Sequence, residues 1–414
     1  MSSHGSTGLS ATSLRALGLP APTSGVATLR IHVGTAPFVD MPAIGFALGD
    51  VVELPAATTV ERIRSLRPAH LRLDVRLASI GWEERLRRQT AVAVALDAPL
   101  ELALHDVAAD DASSVVAALS SIPDALAVRR VIVIGDDVWL ARPPVQELVR
   151  SHTRRMRPQA KILAGARTNF DILNRHWDAV GDVDGVAFGM QPQWHASDDL
   201  SVIETLEGQA HAAASARAAV PDATVAVSPL SLGPDYDGEI ADPRHRSLFA
   251  AAWTLGSVAA LAEARVDAVT YYQLLGPVGL ISTDRRTAEE GPVPGPVHPC
   301  YHVFADLSSP ELGAISGVVL EGDYPATGVA VGRDGLRAIL VGSFSPVPAS
   351  VEVWGLDDGP WESRVLDGGS ARGALFRPEV FRASSKPVTV RDGQVVVPIG
   401  PYGLLSLARP IVSS

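Results

Sequence analysis

The sequence predicts an α/β fold, a (β/α)8 TIM barrel of glycoside-hydrolase-like type followed by an antiparallel β-sandwich, and three observations predict it. Eight short apolar runs between residues 43 and 273 alternate with segments of helical periodicity. The runs are too continuously apolar for a sheet with one wet face, which points to parallel strands covered by helices. After residue 315 the apolar period falls to two, the mark of short antiparallel strands.

The eight runs are AIGFAL (43–48), HLRLDV (70–75), LELALH (100–105), RRVIVIG (129–135), AKILAGA (160–166), DGVAFGM (184–190), ATVAVSP (223–229) and DAVTYYQ (267–273). Helix candidates lie between them: one from Trp82, with Leu86, Ala93 and Leu96 on its apolar face, then PPVQELVRSHTRRM, LSVIETLEGQAHAAASARAA and RHRSLFAAAWTLGSVAALAEA. HPCYHVFADLSS follows the eighth run across a Pro/Gly-rich loop. Eight strand–helix units favour a closed barrel over an open doubly wound sheet. ATGVAVGR, LRAILVGSF, ASVEVWGL, VTVRDGQVVVPI and YGLLSLA supply the sandwich. The expected organisation is a loose tail over 1–24, a strand within 25–38 that joins the sandwich, the barrel over 39–314 and the sandwich over 315–414.

A chain of 414 residues with net charge −11 lacks the basic footprint of a nucleic-acid or anionic-membrane binder, and a small-molecule partner is expected instead. It has no apolar run of about 18 residues to span a bilayer. The single cysteine, Cys300, fits a reducing compartment, and the N-terminal stretch lacks the pattern of a secretion signal, so a cytoplasmic location is expected. Oligomeric state is not legible.

In this fold the chemistry sits at the C-terminal ends of the strands. Those positions hold Arg72, Asp74 and Arg76; His105 and Asp106; Asp136 and Asp137; Arg167, Asn169 and Asp171; Gln191, Gln193, Trp194, His195, Asp198 and Asp199; Ser228 and Ser231; and Tyr271, Tyr272 and Gln273. Each has a structural alternative. Asp198 or Asp199 precedes a helix and Asp is a frequent N-cap; Arg72 and Asp74 alternate on one face and can pair within the barrel; His105 can be a satisfied strand-end histidine. His195, preceded by a Trp and by two amides on alternate positions, is the best general base, with Asp198 or Asp199 to orient it. Arg72 and Tyr272 are candidates for a carbonyl or oxyanion. Asp74, Asp136, His105, Asn169, Gln191, Gln193 and Gln273 are candidates for substrate hydroxyls, with Trp194 or Trp139 as a stacking face.

A retaining glycosidase on this fold needs carboxylates after strands four and seven. Strand four offers Asp136 or Asp137, but VAVSPLSL has none until Asp235. The paired first-strand histidines of barrel metallohydrolases are absent, as are HExxH, GxSxG, Walker and GxGxxG motifs, so neither metal nor cofactor is expected.

RTNFDILNRH, GMQPQWHASDDLSVIETLEGQ, TYYQLLGPVGL and HPCYHVFADL together resemble the D-apionate lactonases, bacterial enzymes that open the lactone of a branched sugar acid. The resemblance runs from about Pro42 to Pro410 and keeps Pro192, Gln193, His195, Asp198, Glu204, Thr205, Leu206 and Gln209 of the family pattern. It implies a hydrolase of a sugar-derived lactone that needs no cofactor. It also implies a β-rich domain ahead of the barrel, where this sequence has a tail and one strand, and an acidic residue where this chain has Gln273. The rival expectations are a glycoside hydrolase with Asp136 or Asp137 as acid and a non-catalytic saccharide-binding barrel.

Overall fold

The computed structural model describes residues 26–34, 36–135, 140–233, 242–276, 278–283, 285–287, 291–309, 312–333 and 335–410, the side chains of 285–287 and 291–293 excepted. Two strands come first, β1 (Ala27–Val33) and β2 (Val39–Asp40). Eight parallel strands then close a barrel: β3 (Ala43–Ala47), β4 (Leu71–Arg76), β5 (Leu100–His105), β6 (Val128–Ile134), β7 (Lys161–Ala166), β8 (Gly185–Met190), β9 (Thr224–Leu230) and β10 (Ala268–Leu275). They neighbour one another in chain order, and β10 pairs with both β9 and β3. The predicted α/β barrel with a C-terminal antiparallel sandwich is therefore the observed architecture.

Each strand turns one set of side chains to the axis and the other to the helices. Phe188 and Met190 join the large cluster under the helices, whereas Ala43, Ala103, Ile132, Ile134, Leu163, Ala187, Ala226 and Ala268 pack inside the barrel. The small interior residues bring the strands close. A Cβ at Gly185 would lie 2.1 Å from the Thr224 carbonyl oxygen. That neighbour is backbone and cannot swing aside. Gly185→Ala is expected to destabilise the barrel by about 3 kcal/mol, read as a lower urea midpoint at unchanged m-value.

β11 (Gly279–Ile281) runs parallel to the end of β10, and β12 (Arg285–Thr287) pairs with β13 (Gly291–Val293) as a hairpin. A second sheet is built from β14 (Ala314–Glu321), β15 (Ala326–Val331), β16 (Ala338–Ser343), β17 (Ala349–Trp354), β18 (Gly359–Leu366), β19 (Lys386–Val390), β20 (Gln394–Ile399) and β21 (Leu404–Ala408). β1 lies in this sheet, antiparallel to β14 and parallel to β17, and β2 pairs with β14. Residues 359–366 were not among the expected strands; Glu362, Ser363 and Arg364 interrupt the apolar run, and the alternation survives only in the burial of Trp361 and Ser363.

The helix Leu248–Glu263 joins the two bodies. It is apolar on every side because one side meets the barrel and another meets β15 and β16. Ion pairs cross the same boundary: Asp306 with Arg364 and Arg382, and Arg62 with Glu379. Among the described residues no helix is long and apolar enough to cross a membrane.

Candidate active site

A cavity of about 740 Å3 opens at the C-terminal ends of the strands. Strand ends contribute Arg72, Asp74 and Arg76 from β4, His105 from β5, Leu230 from β9 and Gln273 from β10; Arg167 and Ser231 follow β7 and β9. The loop with Gly49 and Asp50 and the first turns of the helix Trp82–Leu96 complete the wall. Five arginines (Arg72, Arg76, Arg85, Arg88, Arg167) face three carboxylates (Asp50, Asp74, Glu84), so this cavity is positive in a chain that is negative overall.

Arg72, Asp74 and His105 form its most ordered group. Arg72 is buried and donates from Nε and Nη2 to Asp74, the shortest contact being 2.7 Å, and from Nη1 to Ser228 Oγ at 2.8 Å. His105 Nε2 lies 2.8 Å from Asp74 Oδ1. Burial works against the Asp74 charge, but the Arg72 guanidinium and the bonds from His105 and Arg72 outweigh it and hold the carboxyl well below the usual carboxylate range. An ionised Asp74 fixes His105 with a proton on Nε2. The other ring nitrogen then keeps a lone pair on a residue that lines the cavity.

Beneath this group the barrel interior is polar. The register sets Arg72 beside Glu101 and Glu101 beside Arg130. Glu101 is fully buried and accepts from Arg130 Nε at 2.7 Å, from Thr270 Oγ1 at 2.9 Å and from Ser228 Oγ. His70 bonds through Nε2 to Thr270 and through Nδ1 to Arg130. Its ring occupies space that Gly45 leaves open, since a Cβ there would sit 2.3 Å from His70 Nε2. Burial raises the Glu101 carboxyl, but His70, Arg130 and Arg72 outweigh burial and bring it down to about 2. A continuous chain of hydrogen bonds thus runs from the barrel floor to Arg72 and Asp74.

The model of the D-apionate lactonase TIM barrel domain matches residues 45–311, which holds every strand end described above. The chain belongs to this family. A D-apionate lactonase from Brucella anthropi is 30% identical over 169 residues, a stretch covering 37% of this chain and only 27% of that protein. The chain thus spans about a quarter of the curated relative it matches. Two solved structures share the fold at low identity: a family 51 α-L-arabinofuranosidase from Bifidobacterium longum (TM-score 0.62, 10% identity, 92% of this chain and 99% of that one) and a GH30 endoxylanase from Clostridium papyrosolvens (TM-score 0.62, 9% identity, 93% and 100%).

Within this D-apionate lactonase family barrel only some of the expected site residues come together. Arg72, Asp74, His105 and Gln273 meet at the cavity. Tyr272 lines it too, but its hydroxyl is committed elsewhere, to Thr254 Oγ1 at 2.8 Å, and burial pushes its pKa well up. The cause is a parity switch: Tyr272 has φ 42°, the pairing with β3 slips between Tyr271 and Gln273, and both tyrosines face the helix Leu248–Glu263 while Gln273 turns to the cavity. Tyr272 is therefore not an oxyanion donor in this arrangement. Gln191 and Gln193 are buried at the end of β8.

His195, Trp194 and Asp198 lie on the exposed stretch beyond them, outside the cavity wall. Asp198 does not hold the imidazole; it caps the helix Asp199–Ala219, accepting from Ser201 N at 3.0 Å and Ser201 Oγ at 2.6 Å. Asp199 receives Arg244 Nη1 at 2.7 Å. Both carboxylates expected to orient His195 are thus bound elsewhere. Asn169 starts the helix Phe170–Arg175 and does not line the cavity. Asp136, with Asp137 and Trp139, lies outside the described residues. Glu101, Arg130, His70 and Thr270 carry no local signal in the sequence, because single polar residues in apolar strands look like strand noise; what marks them is the inward parity they share with Arg72 and Ser228. Among the described residues, no group of three or more His, Cys, Asp or Glu side chains is placed to hold a metal ion.

Proposed function

We propose that the protein is a hydrolase that opens a sugar-derived lactone of the D-apionolactone type, with His105 rather than His195 as general base. The observation that carries this reading is the 2.8 Å contact between His105 Nε2 and Asp74 Oδ1 at the cavity wall, beside Arg72. A carboxylate that fixes the tautomer and orientation of an imidazole is the arrangement general-base chemistry needs. His105 Nδ1 takes a proton from water as its oxygen attacks the lactone carbonyl. Negative charge then grows on the carbonyl oxygen, where the positive wall of Arg72 and Arg76 favours it. As the ring C–O bond breaks, the imidazolium returns its proton to the leaving alkoxide, and a hydroxy acid results. The group bonds already formed by Arg72 and Asp74 cost no reorganisation during the reaction.

Gln273 supports the same assignment. It holds the place for which the family resemblance implies an acid, and an amide cannot exchange a proton at working pH, so the base must come from another cavity residue. The seventh barrel strand ends in Ser228-Pro229-Leu230-Ser231, without the carboxylate a retaining glycosidase requires. The test is turnover on a panel of aldono-1,4-lactones and, in parallel, on chromogenic glycosides. Lactone opening alone is expected. Release of the chromophore would favour a glycoside hydrolase acting through Asp136 or Asp137, and binding without turnover would favour a saccharide-binding barrel.

A further inference from the structure

We propose that Gln191, with Ser231 beside it, forms a subsite that reads the hydroxyls of a neutral polyhydroxylated ligand, across the barrel mouth from Arg72, Asp74 and His105. This rests on the reading of the cavity above and adds to it the end of the ligand that does not react. In the ring of strands β8 lies four places from β4, on the opposite wall. Ala187 packs inside the barrel while Phe188 and Met190 pack under the helices, so Gln191 continues the inward parity. It is 6% exposed and stands behind the cavity wall, and among the described residues neither Nε2 nor Oε1 has a hydrogen-bond partner. Ser231 N donates to Met190 O at 3.3 Å, which seats Ser231 next to Gln191. Ser231 lines the cavity, and its Oγ is buried and equally without a partner. Two residues further along, Gln193 gives its Nε2 to Asp242, which fixes the amide and leaves Oε1 unpartnered.

Buried polar groups are almost always satisfied, and leaving them unmade is costly. One orphan is an accident of packing; here Ser231 lines the cavity and Gln191 and Gln193 stand directly behind it on the neighbouring strand end, so four unpartnered polar atoms gather in and just beneath one stretch of the wall. Their chemistry selects the ligand. An amide offers a donor and an acceptor side by side, and a pair of adjacent hydroxyls returns both. A carboxylate returns only acceptors and would leave Gln191 Oε1 and Gln193 Oε1 facing oxygen. The charged groups nearby, Asp242 and Arg244, are already paired with each other. The reacting carbonyl therefore belongs at the Arg72 wall and the sugar hydroxyls at the Gln191 wall, which sets the ligand's direction in the cavity.

The experiment is calorimetric binding of 1,4-anhydropentitols, which carry ring hydroxyls but no carbonyl, each with its 2-deoxy and 3-deoxy form, to wild type, Gln191→Met and Ser231→Ala. Wild type is expected to prefer the parent compound over one deoxy form by about 10-fold or more. In Gln191→Met that preference disappears, while the apo protein melts about 2–4 °C higher because a buried unpartnered amide is gone. Ser231→Ala, a smaller change, halves or further reduces the preference. A lower melting temperature in Gln191→Met with the preference intact overturns the proposal, as does failure of every anhydropentitol to bind wild type. Hydroxyl-selective binding by a protein that hydrolyses no lactone would leave the subsite standing and remove the lactonase reading instead.

Discussion

Replacing His105 by Gln is expected to lower kcat on the cognate lactone by about 10²- to 10⁴-fold, the usual cost of losing a general base. His105 is buried with Nε2 on Asp74, and a Gln amide can keep a donor to that carboxylate while offering no proton acceptor near neutral pH. The loss should therefore fall on kcat more than on KM, with the melting temperature within a few degrees of wild type. Asp74→Asn removes the partner of both His105 and Arg72, so it should lower turnover and stability together. His195→Gln is the informative comparison, because His195 is exposed and lies outside the cavity wall. Single-turnover rates of the two histidine variants decide the matter. Full activity in His105→Gln with loss in His195→Gln would return the base to the loop after β8.

The barrel was legible because its signal is redundant: eight apolar runs at strand length, each followed by a helical pattern, leave few alternatives. The strand ends were legible as a set, and Arg72, Asp74, His105 and Gln273 do converge. What the sequence hid was direction. Tyr271, Tyr272 and Gln273 stand together as candidates at the end of the eighth strand, and the positive φ at Tyr272 turns both tyrosine hydroxyls to the helix Leu248–Glu263. Asp198 carries the same letters whether it orients an imidazole or caps a helix, and the cap requires only Ser201 three residues on. The ranking of His195 above His105 rested on its polar neighbours in sequence. His105 is followed directly by Asp106, but its partner Asp74 comes from the adjacent strand, a contact that no local pattern reports.

Stability is expected to fall steeply as pH drops from about 6.5 to 4, before the carboxylates titrate. His70, His298 and His302 are nearly or fully buried, and burial is the main force lowering each to about 4. Opposing and assisting charges are present: Glu101 raises His70 while Arg130 and Arg72 lower it, and Asp306 raises His302 while Arg382 and Arg364 lower it. Burial still dominates in each case. The folded state thus holds these rings neutral, whereas an unfolded chain protonates them near 6.5. Between those values the unfolded state binds more protons, so unfolding becomes easier with each step down in pH. A shift of this size corresponds to about 3 kcal/mol per histidine once pH reaches 4, comparable in total to the whole stability of a typical domain. Glu101 and Asp74 act with the opposite timing: their folded pKa values are depressed, and their contribution is lost only below the ordinary carboxylate range. His302 is the cleanest probe, since Nε2 bonds the Ala374 carbonyl at 3.2 Å, a contact that Gln can imitate without titrating. Urea unfolding at pH 7.5, 6.5, 5.5 and 4.5 should show a falling midpoint in wild type and a shallower fall in His302→Gln. A flat profile across that interval would mean that the buried rings stay accessible to protons without unfolding.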